Sequence, residues 1–92
     1  MSFYLKDPQS RVDYAIDWTA FLTGETVVAS EWTVAPAEAG GISVGEARLD
    51  PAKTAATIAG GSAGRVYTVS NLVTFSDGNR EERSITLRVE QR

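Results

Sequence analysis

The feature that most narrows the fold of this chain is the spacing of its apolar side chains, which recur at every second residue through several segments. In VDYAIDW, residues 12–18, Val12, Tyr14, Ile16 and Trp18 fall on one side and Asp13, Ala15 and Asp17 on the other, the period of a half-buried strand rather than of a helix. In TVVASEWTV, Val28, Ser30, Trp32 and Val34 share one face, with Trp32 inward, and Val27, Ala29, Glu31 and Thr33 share the other. RVYTVSNLVTF sets Tyr67, Val69, Val73 and Phe75 on one face, and SITLRV does the same with Ile85, Leu87 and Val89. Between these two runs lies Ser76-Asp77-Gly78-Asn79. Asp-Gly is a favoured pair for positive φ, so the last two strands are expected to form a long antiparallel hairpin.

The rest of the chain is punctuated in the same manner. Pro36 and the Gly40-Gly41 pair end one strand by composition. ISV (42–44) and EARLD (46–50) read as two short strands, broken by Gly45 and closed by Asp50-Pro51. KTAATIAG reads as a strand because Thr54, Thr57 and Ile58 are β-branched, and Gly60-Gly61 stop it. Turn signals spaced about every 8–12 residues fit a β-sandwich. In GGSAGRVYTVSNLV a small-residue turn leads into Tyr67, as in the tyrosine corner, where the hydroxyl bonds back to upstream backbone. The expected fold is therefore all-β: a single immunoglobulin-like β-sandwich of about seven antiparallel strands. With 92 residues the chain has room for one domain, residues 1–92, near the lower size limit for an unaided core.

Composition removes most chemistry. The chain has no cysteine and no histidine, which takes away disulfides, thiol nucleophiles, the usual zinc sites and the commonest proton carrier near neutral pH. A serine nucleophile would have to rely on Lys6, Lys53 or a carboxylate as its base. Neither AGGISVG nor AGGSAG leads into a helix or carries Lys followed by Ser or Thr, so both read as turns rather than phosphate loops. Asp13, Asp17, Asp50 and Asp77 lack a calcium-loop spacing. Trp18, Phe21 and Trp32 could stack on a sugar, although two tryptophans in so small a sandwich are more often core. These readings leave no catalytic residue, no metal and no cofactor.

Net charge is -3 and the arginines are scattered, which argues against a nucleic-acid partner. No apolar run is long enough to span a bilayer as a helix, and MSFYLKDPQS lacks the pattern of a secretion signal. The charged run REER after the hairpin turn splits by parity. Arg80 and Glu82 read as solvated face, whereas Glu81 and Arg83 share the parity of Ile85. The favoured account puts both beyond the end of the core, with Arg83 pairing a carboxylate from a neighbouring strand. Residues 1–8 stand apart as an N-terminal arm: Phe3, Tyr4 and Leu5 would be wasteful free in water, so the arm either folds back as an edge strand or docks on a partner.

Several short motifs in a fixed order add a family resemblance. Lys6-Asp7-Pro8, Asp13-Tyr14-Ala15-Ile16-Asp17-Trp18, Gly24-Glu25-Thr26, Ser30-Glu31-Trp32-Thr33-Val34, Gly60 to Gly64, Tyr67-Thr68-Val69 and Glu82-Arg83-Ser84-Ile85 resemble the small tail and fiber-tail adaptor proteins of tailed bacteriophages and prophages. Residues 36–57 follow that pattern loosely. The resemblance implies an immunoglobulin-like structural part of a virion, made in the host cytoplasm, catalysing no reaction and binding other tail or fiber proteins. Homo-oligomerisation in the particle, a capsid decoration role and a carbohydrate-binding sandwich stand as alternatives. Phe3, Tyr4 and Leu5 are the expected partner-contact residues.

Overall fold

A computed structural model describes residues 2–91, with the backbone alone for Ser2 and Phe3. Its strands are β1 (Ser2–Lys6), β2 (Arg11–Asp17), β3 (Val27–Ala35), β4 (Ile42–Leu49), β5 (Lys53–Gly60), β6 (Val66–Phe75) and β7 (Arg80–Val89), with one 3-10 turn at Thr19–Phe21. They build two sheets, ordered β1-β7-β6-β3 and β2-β5-β4. The all-β, two-sheet expectation holds. One part of it is corrected: β1 runs parallel to β7, with Ser2 opposite Ile85 and Lys6 opposite Val89, so the larger sheet is mixed. The cause is connectivity. Residues 7–10 carry the chain straight from one sheet to the other, which leaves β1 beside the final strand instead of in a hairpin with β2.

The β6–β7 hairpin forms as the alternation requires, with Tyr67 opposite Leu87 and Thr74 opposite Arg80. Its turn is closed by the Gly78 N–H donating to the Phe75 carbonyl at 2.9 Å and the Phe75 N–H donating to that of Asn79 at 2.8 Å. Gly78 sits at φ +92°, the conformation for which Asp-Gly is suited.

Bulges account for the two places where simple parity fails. In β3 the register shifts between Val27 and Ala29, so Val27 is buried and Val28, expected inside, is 54% exposed. Trp32 and Val34 still pack on the core. In β4 the expected break at Gly45 is a register shift between Gly45 and Arg48 inside one strand, where Glu46 takes up φ 49° and the extra length is absorbed without ending the ladder.

Inward-facing Tyr67, Val69, Ile85, Leu87 and Val89 meet Ile42 and Ile58 in one cluster. Ile16, Trp18, Val27, Val73 and Phe75 make a second. Between them runs a buried polar chain. Trp18 Nε1 donates to Thr54 Oγ1 (2.9 Å), Thr54 Oγ1 donates to Asn71 Oδ1 (2.6 Å), and Asn71 Nδ2 donates to Ser30 Oγ (2.8 Å) and the Glu31 carbonyl (3.0 Å). It joins the two sheets through groups that would be costly to bury alone.

Tyr67 closes the opposite end. Its hydroxyl accepts the Ser62 N–H at 3.0 Å and donates to Glu38 Oε1 at 2.7 Å, the bond back to upstream backbone that the sequence suggested. Nearby, a Cβ on Gly60 (φ +76°) would lie 2.8 Å from the Gly41 carbonyl oxygen, and one on Gly61 (φ +105°) would lie 2.7 Å from Val89. Both glycines are therefore fixed by conformation and by space.

Arg83 differs from expectation. It lies opposite Asn71, and its guanidinium carbon is 6.0 Å from the centroid of the Trp18 ring. An indole face rather than a carboxylate receives it. Glu81 is exposed but pairs with Val73, a residue of the second cluster, so it does not lie beyond the end of the core as expected.

Thr54→Val strands the Trp18 N–H and one Asn71 lone pair, and is expected to lower the free energy of unfolding by about 1–3 kcal/mol in urea denaturation. The Glu38 carboxyl is held below the usual glutamate range, first by the Tyr67 hydroxyl and then by Arg65. A depressed carboxyl stabilises the fold fully above its unfolded pKa, and that contribution is lost as pH falls through the folded value. Wild type is expected to lose more stability than Tyr67→Phe as pH drops from 6 to 3, measured by denaturant titration at each pH.

Candidate functional site

Each sheet has two edge strands, and the two sides of the sandwich are closed differently. On one side β3 and β4 pack on each other. On the other, β1 and β2 border a groove of about 380 Å³ whose apolar lining includes Tyr4, Val12, Tyr14, Ile58 and Leu87. Tyr4 is 46% and Val12 40% exposed, so the groove opens to solvent. Among the described residues β1 pairs only with β7 and β2 only with β5. Two unpaired strand edges therefore flank one apolar hollow.

The arm is fixed at its far end by Lys6, which alternation turns inward, opposite buried Val89. Its side chain is buried, and the ammonium donates to the carbonyls of Asp7 (3.0 Å), Ser10 (2.7 Å) and Gly60 (2.7 Å). An ammonium has three protons, and each has an acceptor. Burial pushes the Lys6 pKa below the ordinary lysine value, with Asp7 opposing. The Lys6 carbonyl also accepts the Glu90 N–H at 2.9 Å. Asp7 Oδ1 accepts the Gln9 N–H at 2.7 Å, and this completes the turn that hands the chain to β2.

Of the three expected contact residues, Tyr4 lies opposite Leu87 and Leu5 opposite Arg88. Leu87 is buried and Arg88 exposed, so Tyr4 and Leu5 belong to opposite faces of the sheet. Phe3 pairs with Thr86 through its backbone, and its side chain lies outside the described residues. The arm is thus a strand with two differently used faces rather than one apolar plug. Tyr4 packs edge-on against Tyr14 (centroids 6.1 Å) and Tyr14 against Trp32 (6.2 Å), tying the arm to both sheets. Burial raises the Tyr14 pKa, reinforced by Tyr4 and opposed by Arg83. The Trp32 indole N–H is buried with no partner among the described residues.

The other candidate chemistries resolve into structure. Asp17 accepts from the Thr19 N–H (2.9 Å), and Asp50 from the N–H groups of Ala52 (2.9 Å) and Lys53 (2.7 Å). Asp77 accepts from the Asn79 N–H (3.0 Å) and Asp13 from the Thr57 hydroxyl (2.7 Å). Among the described residues no three His, Cys, Asp or Glu side chains are grouped to hold a metal ion. No helix of the described residues is long and apolar enough to cross a membrane. Trp18 is fully buried and Trp32 packs against both core clusters, which removes the paired-tryptophan platform imagined for a sugar. Sequence reasoning missed Lys6 and Asn71 as organising residues. The available signal was a polar side chain at an inward parity.

Such a geometry defines a small two-sheet module with one side open to solvent. Over residues 6–88 the chain matches the family described as podophage GP4 fiber-tail adaptor protein gp77, and it belongs to that family. No curated protein matches it significantly. Membership supports a structural, non-enzymatic part in a phage tail. The matched range begins at Lys6 and so leaves Phe3, Tyr4 and Leu5 outside it.

Lys6→Met would take the ammonium from three partly buried carbonyls, of which that of Asp7 keeps the Ser10 N–H and hydroxyl. It is expected to cost about 1–3 kcal/mol of stability and to speed hydrogen exchange at β1 amides more than at β6 amides, read by exchange mass spectrometry.

Proposed function

We propose that this chain is a virion adaptor, made in the cytoplasm of the host, that joins tail and fiber proteins of a phage or prophage through the open β1–β2 side of an immunoglobulin-like sandwich. The observation that carries the reading is the apolar groove between two unpaired strand edges. Exposed backbone donors and acceptors beside an apolar hollow suit protein contact. The strand orders and the Tyr67 hydroxyl bond to Ser62 support the immunoglobulin-like description. Phe3, Tyr4 and Leu5 are the proposed contact residues, reaching a neighbour that is repeated in a symmetric particle. Nucleic acid and membrane play no part in this reading. A role as capsid decoration would rest on the same surface and is separated from it by where in the particle the chain is found.

Replacing Phe3, Tyr4 and Leu5 together by Ser is expected to leave a folded domain, checked by amide NMR, that no longer enters particles. Quantitative peptide mass spectrometry of particles purified from an induced culture provides the measure. Undiminished incorporation of the folded triple variant would refute the arm as the contact.

A further inference from the structure

The backbone of β1 specifies how a partner would bind. In a parallel ladder both polar groups of one residue face the same neighbour, and those of the next residue face away. The Lys6 carbonyl accepts the Glu90 N–H, and Lys6 lies opposite Val89. Lys6 and Tyr4 therefore direct their N–H and C=O to β7, while Phe3 and Leu5 turn theirs to the open edge. A strand added there would place alternate side chains over the groove, against Tyr4, Val12 and Tyr14.

The character of the lining narrows the occupant. Among the described residues the only cation lining the groove is Lys6, and its three protons are already accepted by carbonyls. Asp7 and Asp13 also belong to the lining, but the Asp13 side chain lies on the face of β2 opposite Val12 and Tyr14, where it accepts the Thr57 hydroxyl at 2.7 Å and pairs with Arg48 at 3.5 Å. The hollow is thus mainly apolar, and the Lys6 ammonium, still charged although its protons are bonded, offsets Asp7.

We infer, on the premise that the chain is an adaptor, that β1 receives an extended segment of a tail or fiber protein as an added strand, with apolar residues at alternate positions filling the groove. The Phe3 and Leu5 backbone groups supply the hydrogen bonds. Tyr4, Val12 and Tyr14 supply the apolar floor.

Leu5→Pro tests the backbone part, because it deletes an outward N–H while leaving the bonds to β7 in place, and Pro is tolerated on edge strands. Leu5→Ala removes the side chain and keeps the N–H. In folded proteins, copies per particle are expected to fall about tenfold for Leu5→Pro and by under about threefold for Leu5→Ala. Equal loss in the two variants, or none in Leu5→Pro, overturns strand addition. Wild type absent from particles instead overturns the adaptor reading and this inference with it. Should Leu5→Pro fail to fold, photo-crosslinking in the particle from p-benzoylphenylalanine placed at Val12 decides. A crosslink to an extended segment with alternating apolar residues supports the inference. A crosslink to a helix or to a second copy of this chain overturns it.

Discussion

The fold depends on the hydrogen-bonded chain that crosses its middle from Trp18 through Thr54 and Asn71 to Ser30. Apolar contact is non-directional, so two alternating sheets could slide over each other and still bury similar surface. A buried polar chain is directional. Any slip would leave the indole N–H, the threonine hydroxyl or the amide without a partner in a region where water cannot replace it. The chain therefore sets the offset between the sheets, and the clusters on either side of it pack in the frame it provides.

That fixed offset also determines what the edges do. Tyr67 and the Gly60-Gly61 corner hold one end, and the β6–β7 hairpin holds the other. Near the corner, Lys6 binds carbonyls from the β1–β2 turn and from the end of β5, so the arm is pinned to both sheets there, and Tyr4 against Tyr14 ties it again. Among the described residues the β1 backbone is paired on one side only. A rigid core with one strand paired along one edge and open along the other suits a part that must fold before it meets its neighbour, because little further ordering is needed on binding.

Much of this was legible in the residues. The alternation in β2, β6 and β7, the Asp-Gly turn, the Tyr67 corner and the inward Trp32 could all be read from spacing, because a strand's faces follow directly from parity. Val28 and the supposed break at Gly45 could not. A bulge changes parity by one residue, and nothing local announces whether the partner strand will accommodate it. Arg83 was misread for a related reason: its partner is the Trp18 ring just past the end of β2, brought near only when the sheets stack. The candidate site was legible as an apolar arm and no further. The opposite faces of Tyr4 and Leu5 follow from alternation, but only once the arm is known to be a strand.

By itself, then, the sequence determined the strands, most of their inward faces, the hairpin and the absence of cysteine and histidine chemistry, since all of these are properties of local spacing and composition. The tertiary structure alone decided that β1 lies parallel to β7, that Lys6 is buried under three carbonyls, and that β1 and β2 leave a groove between them. Each of these depends on which segments become neighbours across long separations in the chain. That choice is made by the packing of the whole core, where burying apolar surface and satisfying every buried polar group have to be achieved together.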